Sequence, residues 1–292
     1  MKTILITGAN GFTGRYVADV FAAQNYHVVR HGFHNNPESD FTCDLTDKAA
    51  VCKMLDDVRP DGVIHLAALS FVGHDDPSAF YRVNVIGTLN VLEALAQAKI
   101  TPDKVIVASS ANVYGNPEVE VIDESTPPNP VNHYAASKLA MEFMVKSWFP
   151  RMPVILTRPF NYTGMGQNER FLVPKIVNHF RERKSRIELG NLDVARDFSD
   201  VQDIAKAYFL LYESACHSEI VNLCSGRVYT LKEIIDYMNT LADYQIEVSV
   251  NPAFVRDNEI KILRGSNDKL KALTGYRPEK ELTDTLSRMY NA

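Results

Sequence analysis

Four cysteines in 292 residues are too few and too scattered to organise this chain. Cys43, Cys52, Cys216 and Cys224 form no C-x-x-C pair and have no histidine cluster beside them. A disulfide framework and a zinc site are therefore disfavoured, and reduced thiols in a cytoplasmic protein are expected. The histidines lack ligand spacing, so no metal is expected. No block of lysine or arginine stands out in a net charge of −5, which argues against nucleic acid as the main partner but leaves room for a local cationic pocket. No apolar run is long enough to span a bilayer, and the opening MKTILITGANGF turns polar too early for a signal peptide. A soluble protein with no membrane partner is the expectation. Repeats, low-complexity tracts and flexible linkers are absent too.

What the chain does have is alternation. Apolar stretches of strand length, TILIT (3–7), HVVRH (27–31), GVIHLAA (62–68), KVIVASS (104–110) and PVILTRPF (153–160), are separated by amphipathic stretches of helix length. Apolar strands divided by helices mean βαβ units and a parallel sheet covered on both faces. Right-handed crossovers then give an α/β, Rossmann-like, doubly wound fold. Residues 1–160 are expected to form a dinucleotide-binding domain. EIVNLCSG (219–226) can return to its sheet, so roughly 198–226 is assigned there as well. Residues 161–292 are expected to form mainly a smaller, partly interleaved substrate domain.

Between the first strand and the first helix, TGANGFTG places Gly8, Gly11 and Gly14. Glycines there let the backbone turn tightly and approach a pyrophosphate at the positive end of the helix. A plain strand-to-helix turn would need one glycine, not three. At the end of the second strand an NAD site usually presents a carboxylate to the ribose, whereas VVRHGFHNN offers Arg30, His31 and His34. NADP(H) is therefore favoured over NAD(H). Farther on, NHYAASKLAMEF sets Tyr134 and Lys138 one helical turn apart, on one face. A free phenol titrates near pH ~10, and a neighbouring ammonium favours its ionised form.

The G-x-x-G-x-x-G loop together with Tyr-x-x-x-Lys resembles the short-chain dehydrogenase/reductase superfamily. HLAA, NVIGTLNVLEA (84–94), SSANVYG (109–115), YAASK, TRPFNYTG (157–164), RDFSDVQD (196–203) and NPAFVRDNE (251–259) follow in the order of its extended, nucleotide-sugar-modifying branch. The downstream segments look most like GDP-4-keto-6-deoxy-D-mannose reductases. The resemblance implies a catalytic set of Ser110, Tyr134 and Lys138, with Ser110 holding the substrate oxygen and Lys138 also meeting the nicotinamide ribose. It implies cofactor contacts from the loop residues Asn10, Phe12 and Thr13, from Asp44 and Leu45 near the adenine, and from Leu66, Ala67, Ala68, Asn84 and Pro159. Asn84 can equally be structural. For the nucleotide-diphosphate sugar it implies Ser70, Asn161, Val173, Arg196, Arg256 and Glu259, the arginines taking the diphosphate. A local Arg196–Asp197 ion pair is the competing reading of that segment. Ser109 reads as a strand-end cap.

Dehydratases of the branch carry an acid pair just before the Tyr-Gly element, where this chain has Ala111, Asn112 and Val113. That leaves a reductase or an epimerase, and the likeness of the downstream segments implies reduction of the 4-keto group of a nucleotide-linked 6-deoxyhexose, giving GDP-D-rhamnose or its talose epimer. A nucleotide-sugar 4-epimerase with tightly bound NAD is the alternative. A catalytically inactive nucleotide-sensing regulator would be expected to lose Tyr134 or Lys138. Relatives pair through helices equivalent to 84–98 and 134–147, so a homodimer is expected.

Overall fold

The computed structural model describes residues 1–33, 36–71, 74–192, 194–252 and 262–292. The first half winds β1 (Thr3–Thr7), α1 (Phe12–Ala23), β2 (His27–Gly32), β3 (Phe41–Thr42), α2 (Lys48–Val58) and β4 (Gly62–His65). It continues through α3 (Pro77–Tyr81), α4 (Thr88–Gln97), β5 (Lys104–Ala108), α5 (His133–Lys146) and β6 (Val154–Pro159). Most of these strands are largely apolar because helices cover both faces of the sheet. α1 lies on one face, and α2, α4 and α5 lie on the other.

The second half follows as β7 (Asn161–Thr163), α6 (Leu172–Arg181), β8 (Arg186–Leu189), β9 (Ala195–Asp200), α7 (Val201–Glu213), β10 (Glu219–Leu223) and β11 (Val228–Thr230). α8 (Leu231–Ala242), β12 (Glu247–Val250), β13 (Ile262–Leu263), α9 (Asp268–Thr274) and α10 (Leu282–Tyr290) complete it. The main sheet has seven parallel strands in the order β10-β6-β5-β4-β1-β2-β3. Strand order reverses between β1 and β4, and ligands of doubly wound sheets bind at the carboxyl ends of the strands beside such a switch point.

β10 returns to this sheet beside β6, and α7 packs on α1. Residues 198–200 instead lie in β9, which pairs with β7, β11 and β13 in a second sheet. A separate core formed by α6, α8 and α10 sits behind that sheet.

The long helix read between the fourth and fifth strands is interrupted. Arg82–Gly87 is wound as a π-helix between α3 and α4. Such bulges cost regular hydrogen bonding and occur disproportionately at functional sites. This one contains Asn84, which is buried.

Candidate active site

Three features open the carboxyl end of β1 to a dinucleotide. Gly8 has φ +70°, and a Cβ there would lie 2.8 Å from the Ala67 nitrogen. At Gly14 a Cβ would lie 2.2 Å from the Gly8 carbonyl oxygen, so only glycine lets α1 sit this close to the turn. Gly11 is the N-cap of α1 and provides no side-chain acceptor, which leaves the first-turn N–H groups available to an anion. Asn10 donates from Nδ2 to Ser39 Oγ at 2.5 Å, while its Oδ1 is buried without a partner among the described residues. The cradle fits a nicotinamide dinucleotide, whose pyrophosphate would be held by this turn.

At the end of β2 the structure adds a group that the local sequence does not offer. Asp40 Oδ2 accepts from the Arg30 backbone N–H at 2.8 Å, and the Arg30 guanidinium lies 3.5 Å from Asp19 Oδ1. His31 is buried against Cys43, its Nε2 donating to the Cys43 carbonyl at 3.1 Å. His34 lies outside the described residues. Asp44 caps its own turn through Thr46 N at 2.8 Å, and buried Leu45 is fixed through its carbonyl by Asn90 Nδ2 at 2.8 Å. Leu66, Ala67 and Ala68 continue from β4 beside Gly8. Leu66 N donates to Thr7 O at 3.1 Å, and Ala67 N to Thr7 Oγ1 at 3.3 Å. Pro159 closes β6 and is buried.

Tyr134 is in the first turn of α5, which Asn132 caps by accepting from Ala135 N. Its ring packs edge-on against Phe80 at 6.0 Å, and its hydroxyl stands beside the Ser110 side chain. Burial pushes the phenol up to about 12, with the Ser110 contact opposing and nearby Tyr162 reinforcing the shift. The group is therefore protonated at neutral pH and placed to give a proton. Lys138, one turn on, donates from Nζ to the Ala108 carbonyl at 2.8 Å. Burial brings it down to about 8, against the pull of Glu142. The lysine ammonium here is engaged with the end of β5 and is not among the groups that shift Tyr134, in contrast to the expectation from the pair alone.

Ser110 takes the capping role that the sequence reading gave to Ser109. Ser110 Oγ caps the following turn through Asn112 N at 3.2 Å while also meeting Tyr134. Ser109 is no cap: its hydroxyl donates to the buried Glu142 carboxylate at 2.6 Å. Asn84 ties two parts of the site together. It accepts from Leu69 N at 2.9 Å, donates to Leu69 O at 3.2 Å, and donates to Ser137 Oγ at 3.0 Å. Below it, His65 is hydrogen-bonded to Thr7 at 2.8 Å and to Thr88 at 2.9 Å. Burial lowers His65 to about 3, so it stays neutral.

The second sheet brings β7 to the same cleft. Asn161 is exposed and donates from Nδ2 to the Asp197 carbonyl at 3.3 Å. The Asp197 side chain accepts from Ser225 N, Ser225 Oγ and Gly226 N at 2.7–2.9 Å, so it organises the turn after β10. Neighbouring Arg196 is half-buried and donates to the Ala195 carbonyl at 3.0 Å. Ser70 is exposed after β4. Val173 is buried in the α6–α8–α10 core, so its side chain serves packing. Arg256 and Glu259 lie outside the described residues.

Residues that sequence reasoning passed over stand close to this set. Tyr162 stacks on Phe12 at 6.0 Å and shares a 2.7 Å hydrogen bond with Thr13, which clasps β7 to the glycine turn. It lies inside TRPFNYTG and was the signal available. Arg158 lies in that segment too and Glu142 in NHYAASKLAMEF, whereas Phe80 belongs to no quoted motif.

A glycine cradle at a switch point, beside a buried Ser–Tyr–Lys constellation, defines a nicotinamide-dependent oxidoreductase of the extended short-chain type. A family model described as GDP-mannose 4,6 dehydratase matches residues 5–289, and the chain belongs to that family. It is 36% identical over 272 residues to GDP-6-deoxy-D-talose 4-dehydrogenase of Aggregatibacter actinomycetemcomitans, covering 93% of this chain and 91% of that protein. It is 32% identical over 300 residues to GDP-6-deoxy-D-mannose reductase of Pseudomonas aeruginosa, covering 98% and 95%. The solved structure of RMD from Pseudomonas aeruginosa, complexed with NADPH, superposes with a TM-score of 0.88 at 29% identity, covering 100% and 98%. The protein is an NAD(P)-dependent oxidoreductase acting on nucleotide sugars.

Proposed function

We propose that the protein reduces the 4-keto group of a nucleotide-activated 6-deoxyhexose, with GDP-4-keto-6-deoxy-D-mannose as the best candidate substrate. The product would be GDP-D-rhamnose or GDP-6-deoxy-D-talose. The observation that carries this reading is the buried phenol of Tyr134, protonated and set beside Ser110 with Lys138 one helical turn on. A ketone oxygen set between these two hydroxyls would be polarised by Ser110 and would receive its proton from Tyr134. The bound nicotinamide supplies the hydride. Lys138 would hold the nicotinamide ribose and, while charged, favour the phenolate left behind. Ala111, Asn112 and Val113 occupy the turn after Ser110 and offer no side-chain acid for elimination of water.

The names of two relatives support the sugar and its nucleotide, one being a dehydrogenase and one a reductase. NADPH is the proposed cofactor, with Arg30 meeting its 2′-phosphate. Residues 1–160 with 201–223 would hold it, and much of 161–292 the sugar nucleotide, through Asn161 and Arg196 with Arg256 and Glu259. A 4-epimerase with tightly bound NAD is the second reading. The observation behind it is Asp40, a carboxylate brought to the end of β2.

One assay separates the two. Loss of NADPH absorbance on adding GDP-4-keto-6-deoxy-D-mannose is expected, with NADH at least tenfold less effective. Lys138 is charged below about pH 8 and neutral above it, so kcat/KM should fall as pH rises past about 8. No turnover with either cofactor, together with one NAD released per chain on denaturation, would turn the assignment to the epimerase.

We also propose a homodimer built on the π-helix, α4 and α5. Ile86 and Phe143 are apolar side chains 45% and 64% exposed on these neighbouring elements. Light scattering is expected to give the mass of two chains for the native protein and of one for Phe143→Asp. A native monomer would overturn this.

A further inference from the structure

Beneath the Tyr134–Lys138 face lies a buried charged pair. Glu142, a further turn along α5, is 0% exposed, and Arg158 on β6 is 2% exposed. Arg158 donates to both oxygens of Glu142, from Nε at 2.8 Å and from Nη2 at 2.6 Å. Ser109, at the end of β5, gives the same carboxylate a third hydrogen bond at 2.6 Å. The guanidinium lies 4.7 Å over the Tyr114 ring, and Tyr114 is anchored by donating to Asn222 on β10 at 2.7 Å. A buried ion pair is costly to desolvate and is often no more stabilising than apolar residues of similar volume. Its presence one helical turn from Lys138 therefore asks for a use beyond stability.

We propose that Glu142 is a positioning residue for Lys138: a carboxylate locked by Arg158 and Ser109, presenting negative charge to the ammonium from inside the protein. The inference rests on the oxidoreductase reading of the site. Residues four apart on a helix share a face, so Glu142 and Lys138 are stacked along α5, whereas Arg158 reaches the carboxylate from the sheet. The pair is thus a dipole with its negative end on the lysine's own helix.

The other groups around Lys138 do not supply that charge. From β4 comes His65, which is neutral, and from β5 the Ala108 carbonyl, which accepts from Nζ. The π-helix contributes Asn84, which is uncharged, and α5 itself contributes the protonated Tyr134. Among the described residues, Glu142 is the group that favours the charged lysine against burial. The geometry also couples position to charge. Ser109 binds Glu142 and the adjacent Ala108 carbonyl binds Lys138, so the end of β5 is pinned to α5 at two successive residues.

The test reads Lys138 directly. In protein carrying 13C at lysine Cε, the Lys138 signal, assigned as the one missing from Lys138→Arg, is followed through a pH titration. Wild type is expected to titrate near pH 8. Glu142→Gln should titrate at least about one pH unit lower, and the alkaline limb of kcat/KM should move with it. Because Glu142→Gln orphans a buried arginine, the double variant Glu142→Gln/Arg158→Met is measured beside it. The double variant is expected to regain thermal stability while Lys138 still titrates below its wild-type value. If the double variant folds and Lys138 titrates as in wild type, Glu142 is merely structural and the proposal fails. Absence of turnover with any ketosugar would defeat the reductase reading and leave the Lys138 titration to decide this one.

Discussion

Replacing Tyr134 with phenylalanine should leave a folded protein that binds nicotinamide cofactor and reduces ketosugar about 10³-fold more slowly, within the range for loss of a positioned general acid. That corresponds to about 4 kcal/mol of barrier. The expectation of an intact fold follows from what the hydroxyl touches. The hydroxyl stands beside Ser110, and the ring's edge contact with Phe80 survives the change. Thermal midpoint and NADPH dissociation constant should stay close to wild type, and kcat and kcat/KM should fall together because the interaction is made in the transition state. A loss below tenfold would mean that the proton comes from another hydroxyl, with Ser110 the first to examine.

The second large effect is expected at Gly14. An alanine Cβ there would stand 2.2 Å from the Gly8 oxygen and 2.6 Å from the Ala9 Cα. Both are backbone atoms, so no side chain can swing aside to relieve the clash. α1 would have to move away from the turn, which tilts its N-terminal N–H groups from the pyrophosphate they are placed to meet. Urea denaturation is expected to show a loss of about 3 kcal/mol, the upper end of ordinary overpacking. NADPH fluorescence titration should show affinity weakened more than tenfold. Wild-type affinity in this variant would refute the role assigned to the turn.

Apart from the two-residue β3, the main sheet was readable in the sequence because most of its strands are buried and so appear as largely apolar runs. β7 and β9 were not: NYT and ARDFSD are polar, and they are strands because they pair across the cleft. The π-helix around Asn84 has no periodicity of its own, and RVNVIG reads as part of one helix. Tyr134, Lys138 and the glycines were legible because local geometry alone brings them together. Asp40 was not, since it reaches Arg30 by a turn of the loop after β2. Glu142 and Arg158 look like ordinary charges in sequence, and only the approach of β6 to α5 makes them a pair. Charge state was the least legible quantity. Tyr134 and Lys138 invite the reading of a mutual pair, whereas burial and Ser110 dominate one and burial, opposed by Glu142, the other.

The pairing of β10 with β6 also sets a timetable for biosynthesis. Glu219 lies opposite Ile155, so the outer edge of the sheet is unfilled until a ribosome has made more than sixty further residues. During that interval β6, an apolar strand, is an open edge on which another nascent chain could pair. Contacts this distant in sequence also slow folding. A chain ending after residue 160 would keep every glycine of the cofactor turn and both Tyr134 and Lys138, yet it would emerge with that edge bare. Arrival of β10, not completion of the catalytic segment, is what closes that edge.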